Sequence, residues 1–420
     1  MIKKVEAASI KIGMYLCQMD KPWFETPFLH HKFLIKSKKQ IDSIRQYCSY
    51  IYIDTDKGED LKEAVSKENL DRELLKELNQ NISTPKIPYR EKLQFVPPSS
   101  GMDELEIAKK IRFETKRTVA NLFENAKLGK NIDSIATKAV VGNLLDSIVR
   151  EKNAMLCISL LKNKDEYTKI HSMNVSVILL AFGHHIGLPK EDLEHLGLGG
   201  LVHDVGRIHM PQKILDKPAS LTTEEFEIVK THVTEGVKLL ESTKNISQQA
   251  ISVAQLHHER QNGSGYPKGL KGDEIPLFGQ MSAIVDVYDS ITTPRSYSDS
   301  IAPHEALKLI YGWSRESGEF NSELVEKFIQ CMGVYPIGSL VELNTGDVGI
   351  VTSVNRQSPL KPELVLVLKP DLTRYHPLKM IDTAEDKSVY SGKPYEIEKV
   401  LKQGDHNISP MKVLQQNGML

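Results

Sequence analysis

Near the middle of the chain, Ala250, Val253, Ala254, His257 and His258 recur at the i, i+3, i+4, i+7, i+8 spacing of one helical face. Two adjacent imidazoles therefore continue an apolar, inward stripe. Burying two polar rings without partners is costly, and a metal ion is a natural partner for neutral imidazole. On this feature alone, a metal site and a hydrogen-bonded core pair remain equal alternatives. The stretch that follows, QNGSGYPKGL, places glycines and a proline at turn spacing, so a tight loop begins where the helix ends. A metal site would need further ligands from elsewhere in the chain.

Several candidates exist. His203 and Asp204 lie inside the apolar run Leu201-Val202…Val205, which is expensive unless they are paired or metal-bound. Adjacent helical side chains diverge, which weakens the reading of a simple His-Asp pair. His232 borders the stripe Val229, Val233, Val237 of a helix opened by a capping box at Thr222 and Glu225; by itself it reads as structural. His171 opens another helical pattern and by itself reads as an exposed residue near a helix start. His185 points the same way as His171 but lies about 21 Å further along the axis, so the two cannot share an ion. The pairs His184-His185 and His30-His31 are read as exposed. Asp286 and Asp289 share one flank of an apolar helix, and periodicity does not choose between them.

The 420 residues suit two or three domains with a sizeable core. A formal net charge of −1 gives no basic face for a DNA or RNA duplex. The four cysteines are scattered, without a CxxC pair, which favours a reducing compartment. The N-terminus lacks a signal-peptide core, and NVSVILLAFG is too short to span a bilayer, so a cytoplasmic chain without membrane contact is expected. The pattern predicts a β-rich unit with a trailing helix over 1–80 and a proline-rich linker over 81–101. Connecting helices follow over 102–150, then a helical domain over 151–335, a β-element over 336–385 and a polar tail over 386–420.

Taken in order, His171, His203-Asp204, His232, His257-His258 and Asp286, with Gly265-Tyr266-Pro267, resemble the HD-GYP family. Its members are bacterial phosphodiesterases of the HD metal-dependent phosphohydrolase superfamily, and their usual substrate is cyclic di-GMP. The likeness covers about residues 150–335. Residues 1 to about 60 resemble an uncharacterised domain often attached to this catalytic unit. The resemblance implies a mainly α fold, with an HD-type helical bundle as catalytic core, a small β-rich N-terminal domain and a short C-terminal β-element. It implies His171, His203, Asp204, His232, His257, His258 and Asp286 as metal ligands, with Asp204 bridging two ions and Asp286, not Asp289, as the ligand. Asp204 and Arg207 would be catalytic; Arg207, Arg260, Gly265, Tyr266, Pro267 and Arg295 would face the nucleotide.

Departures from the family pattern are specific. HDVGR replaces the usual HDIGK, so Arg207 stands for a phosphate-contacting lysine with different reach and geometry. Ser298 occupies a position that is often basic, and Gln261 and Asn262 replace a usual tryptophan and aspartate. Tyr167 stands where some members carry a glutamate ligand to a third metal, so two ions are expected. Imidazole-rich sites suit iron, manganese, nickel or zinc, and the resemblance favours iron or manganese. Two divalent ions roughly 3.5–4 Å apart can make hydroxide from water and neutralise a phosphodiester. The expectation is hydrolysis of cyclic di-GMP to pGpG, GMP or both, by a bridging hydroxide at a dinuclear site. Competing expectations are a catalytically weak sensor or scaffold that binds a diguanylate cyclase, and a phosphodiesterase for another cyclic dinucleotide or a 5′-nucleotide. A homodimer is compatible with the sequence, which does not fix the oligomeric state.

Overall fold

A computed structural model describes residues 2–7, 10–11, 13–19, 33–35, 38–48, 50–55, 104–130, 132–159, 167–215, 217, 221–293, 301–355, 358–388, 392–402 and 404–419. The expected trailing helix and linker, and His30-His31, lie outside the described residues.

The N-terminal unit is a four-stranded antiparallel sheet in the order β1-β4-β2-β3, with β1 at Ile2–Glu6, β2 at Tyr15–Met19, β3 at Phe33–Leu34 and β4 at Tyr50–Asp54. Helix α1, Lys38–Tyr47, contributes Ile41 and Ile44 to its small core of Val5, Met14, Leu16, Ile35, Ile51 and Ile53.

The main body is helical. Helices α2 (Glu104–Lys127) and α3 (Ser134–Ser159) pack as a hairpin, and α3 kinks at Glu151. Helix α4, Tyr167–His185, is buried at every position from 170 to 183. Its sequence HSMNVSVILLAF is apolar nearly all round, as a central helix requires. Against it pack α3, α5 (Lys190–Val202) and α9 (Leu277–Thr292), while α8 (Gln248–Leu256) lies on α5 and α9, with α7 (Thr223–Ser242) against α8. The predicted capping box opens α7: Thr222 Oγ1 accepts from Glu225 N, and the Glu225 carboxylate accepts from Thr222 N. A short α6 (Gln212–Leu215) precedes α7, and α10 (Pro303–Gly312) and α11 (Ser322–Met332) complete the bundle.

A five-stranded antiparallel sheet follows, in the order β8-β7-β6-β5-β9, made of β5 (Leu340–Leu343), β6 (Val348–Ser353), β7 (Glu363–Leu368), β8 (Arg374–Asp382) and β9 (Ile397–Leu401). Strand alternation divides its side chains. Leu340, Val348, Ile350, Val365 and Val367 join the core of the bundle; Val341, Val351, Leu364 and Leu366 form a second core on the other face. Lys152 Nζ donates to Cys331 O at 2.7 Å and Asn153 Nδ2 to Ser353 Oγ at 3.0 Å, adding polar ties among α3, α11 and the sheet.

The segment read as a polar tail is structured. Strand β9 pairs with β5, and helix α12, Pro410–Gln416, buries Val413 and Leu414 against the bundle core. The pattern was obscured because β9 is an edge strand whose Glu398 and Lys399 face solvent. No helix among the described residues is long and apolar enough to cross a membrane.

Candidate metal centre

Helix α5 ends at Val202, and the chain turns through His203 and Asp204 into a 3-10 turn over Val205–His209. This turn lies directly on α7. A Cβ on Gly206 would sit 1.9 Å from His232 O, so only glycine lets the Asp204 turn approach that closely. His257 and His258 arrive from the end of α8, which stops at Leu256, so His258 lies beyond the helix that periodicity extended to it. His171 comes from α4 and Asp286 from α9. All seven predicted ligands are buried, and His171 is fully so, not exposed. Ligand atoms of His232, His257 and His258, of His171, His203 and Asp286, and of His203, Asp204 and His257 converge in three groups.

The ring nitrogens are fixed from behind. His203, His232 and His257 each donate Nδ1–H to the carbonyl three residues earlier: Gly200 O at 2.8 Å, Val229 O at 2.6 Å and Ala254 O at 2.8 Å. These bonds assign the tautomer and leave each Nε2 as a lone pair turned to the centre. The Nε2 atoms of His232 and His257 lie 3.3 Å apart, acceptor against acceptor. His171 donates Nδ1–H to Asp289 Oδ2 at 2.8 Å, and its Nε2 faces Asp286 Oδ1 at 3.0 Å. Asp204 turns Oδ1 to His232 Nε2 at 3.4 Å and Oδ2 to His203 Nε2 at 3.4 Å. Neither carboxylate oxygen accepts a hydrogen bond among the described residues; Arg207 Nε lies 2.7 Å from Oδ1 as an ion pair, off the line of a hydrogen bond. Opposed lone pairs and an unsatisfied buried carboxylate are what a cation-binding donor set presents, so these residues fit divalent metal.

The electrostatics agree. Burial pushes His232 down to about 4 and His257 to about 3, and holds His258 well below the ordinary imidazole range, with the neighbouring His257 and His232 rings and Arg260 adding to it. These rings are therefore neutral at pH 7, the form that binds metal. Burial raises the carboxyl of Asp286, but the hydrogen bond and charge of His171 outweigh it and hold it at about 2. Burial likewise opposes ionisation of Asp204, and Arg207 and His203 more than compensate.

Asp289 was not singled out as a working residue by the sequence. It is fully buried behind His171 and also accepts from Asn174 Nδ2 at 3.1 Å and Thr293 Oγ1 at 3.2 Å. The signal was its position three residues after Asp286, one turn along the same flank.

The loop after His258 departs from expectation. Arg260, expected at the nucleotide rim, is 1% exposed. Its Nη1 donates to Glu259 O at 2.9 Å, its Nε lies 3.8 Å from Glu319 Oε2, and its guanidinium sits over Phe320. A buried guanidinium needs a counter-charge and acceptors, and this interior supplies both. Glu259 clamps the loop, accepting from Lys268 N at 2.7 Å and Leu270 N at 3.0 Å. Gly265 packs on residues 258–260, Tyr266 is half-buried against His258, and Pro267 is exposed. Arg207 is half-buried at the centre. Arg295 and Ser298 lie outside the described residues, as does the side chain of Tyr167. His184 and His185 are half-buried at the end of α4, not fully exposed.

Comparisons with known proteins point one way. The HD domain family matches residues 155–316, a domain of unknown function (DUF3391) matches 2–136, and a KOW domain associated with HD domain matches 340–403. The fold and the site thus define an HD-domain phosphohydrolase. A cyclic di-GMP phosphodiesterase of Pseudomonas aeruginosa is 31% identical over 87% of this chain and 84% of its own length. The chain belongs to that family, the HD-GYP phosphodiesterases. A 3'3'-cGAMP-specific phosphodiesterase of Vibrio cholerae is 33% identical over 39% of this chain, which spans only 31% of that protein. A solved HDG"Y"P protein of Bdellovibrio bacteriovorus aligns over 78% of this chain and 98% of its own, with TM-score 0.47 and 18% identity.

Proposed function

We propose that this protein hydrolyses cyclic di-GMP to pGpG, GMP or both, at a centre for two divalent cations. The observation that carries this reading is Asp204: its two oxygens face two different imidazole groups, and neither accepts a hydrogen bond. His232, His257 and His258 would hold one cation and His171, His203 and Asp286 the other, with Asp204 between them. Bound cations supply Lewis acidity and a water of lowered pKa. An imidazole-rich donor set suits iron, nickel or zinc, and the family resemblance favours iron or manganese.

The chain's own groups do the rest. Arg207, beside Asp204, places a fixed positive charge where a phosphate would enter and orients the carboxylate. A guanidinium there meets a phosphate through two parallel donors, unlike the point charge of a lysine. Asp204, held ionised, can accept the proton of an attacking water. Arg295 is proposed as a second phosphate contact.

Anaerobically purified protein incubated with cyclic di-GMP and manganese or ferrous iron should release pGpG or GMP. Chelator, His203→Ala or Asp204→Ala should abolish the product while the fold is kept. Full activity in either variant would overturn the reading. The cGAMP specificity of the V. cholerae relative favours one second reading, hydrolysis of 3'3'-cGAMP. Running both dinucleotides in one competition assay separates the two. Cyclic di-GMP binding without metal-dependent product would instead point to a sensor or a scaffold for a diguanylate cyclase.

A further inference from the structure

Four of the five site histidines have the nitrogen that faces away from the centre tied by a hydrogen bond. His258 differs. It turns Nδ1 inward, 3.7 Å from Asp286 Oδ2, and its side chain makes no hydrogen bond among the described residues. No hydrogen bond among the described residues sets the rotation of this ring, which also meets His257 at 4.0 Å and His232 edge-on at 5.2 Å between ring centroids. Its near-parallel contact is with Tyr266, which stacks on it with ring centroids 4.6 Å apart and planes 28° from parallel.

The loop is built to deliver that ring. Tyr266 N donates to His258 O at 3.1 Å, folding the loop back on the histidine. A Cβ on Gly265 would lie 2.4 Å from Arg260 N and 2.5 Å from His258 O, so only glycine permits the approach. Helix α7 backs the tyrosine from outside: Phe226 meets it edge-on at 6.1 Å, and Lys230 Nζ lies 5.6 Å over its ring. The same helix carries His232.

We infer that Tyr266 is a positioning residue of the metal centre, holding the His258 ring by stacking so that Nδ1 faces the site, with Phe226 as its backing. Gly265 and Tyr266 then serve a metal ligand first and the substrate rim second. This inference rests on the metal-centre reading and deepens it.

The test measures metal affinity without nucleotide. Full-length protein stripped with chelator is titrated with manganese by calorimetry. Tyr266→Phe, which keeps the flat ring, should bind within about 3-fold of wild type. Tyr266→Leu, which keeps bulk without the ring, should lose about 10- to 100-fold at one of the two sites, the range for groups that orient a ligand. Phe226→Ala, at a half-buried position, should show a smaller loss in the same direction. Wild-type affinity in a folded Tyr266→Leu protein overturns the inference. So does a Tyr266→Phe protein that binds poorly, because that would assign the role to the hydroxyl. Absence of manganese binding in the wild type sinks the metal-centre reading and this inference together. Absence of hydrolysis with manganese bound counts only against the substrate assignment.

Discussion

An imidazole that donates Nδ1–H to a carbonyl three residues back has one lone pair left, and that lone pair points away from its own backbone. Three histidines here use this device, His203 and His257 at helix ends and His232 within α7, so part of the site's donor geometry is written into the helices themselves. His171 uses a carboxylate instead. Asp289→Asn replaces that charged acceptor by a neutral one and should weaken manganese binding about 10- to 100-fold, read by calorimetry, with the fold unchanged. The neutral rings also set a pH dependence. Unfolded imidazoles titrate near 6.5, while His232 and His257 titrate near 4 and 3 in the fold, so acid favours the unfolded chain. Metal-free protein should lose about 1.4 kcal/mol per histidine for each pH unit below about 6.5, down to the folded values. Melting curves of chelated protein at stepped pH check this, and a flat profile would contradict it. His203, Asp204, His257 and His258 stood out in the sequence because they sit inside or continue apolar runs, whereas His171, His232 and Asp286 were named as ligands only through the family resemblance. Asp289 and Glu259 were not legible, because their work depends on which neighbour the fold places beside them.

Among the elements, the turn after Asp204 matters most. Gly206→Ala forces a Cβ into the backbone of α7 at His232. The two elements would separate, and both melting temperature and manganese binding should fall; wild-type values for both would show that the contact tolerates a methyl. The loop after α8 has a comparable anchor in the Arg260–Glu319 pair. Glu319→Gln leaves a guanidinium buried without its counter-charge and should cost about 3–5 kcal/mol in urea unfolding. The same change in Glu323, an exposed partner of Lys327, should cost less than about 1 kcal/mol. Sequence periodicity located α7 and its cap because the helix has one wet face. It overran α8 by two residues because His257 and His258 stay buried after the helix has ended. Arg260, placed at the nucleotide by the family resemblance, lies buried against Glu319 and Phe320, which no periodicity around the glycine-rich loop could indicate.

At the scale of the molecule, the bundle and the C-terminal sheet share one apolar core. A chain cut after residue 335 would expose the flank that Leu340, Ile350, Val365 and Val413 cover, and should aggregate or melt well below the whole protein. A soluble fragment with an unchanged melting temperature would show the sheet to be an accessory. The division into helical and β parts was readable from the change in period near residue 336. The last strand was not, because an edge strand with one wet face looks like polar chain. That shared core also has a consequence for how the protein is made. The bundle's last helix ends at Met332, but its cover is finished only by Val413 and Leu414. A ribosome therefore releases the bundle with an apolar flank open while the sheet is still being translated, and for that interval the nascent chain is a substrate for chaperones.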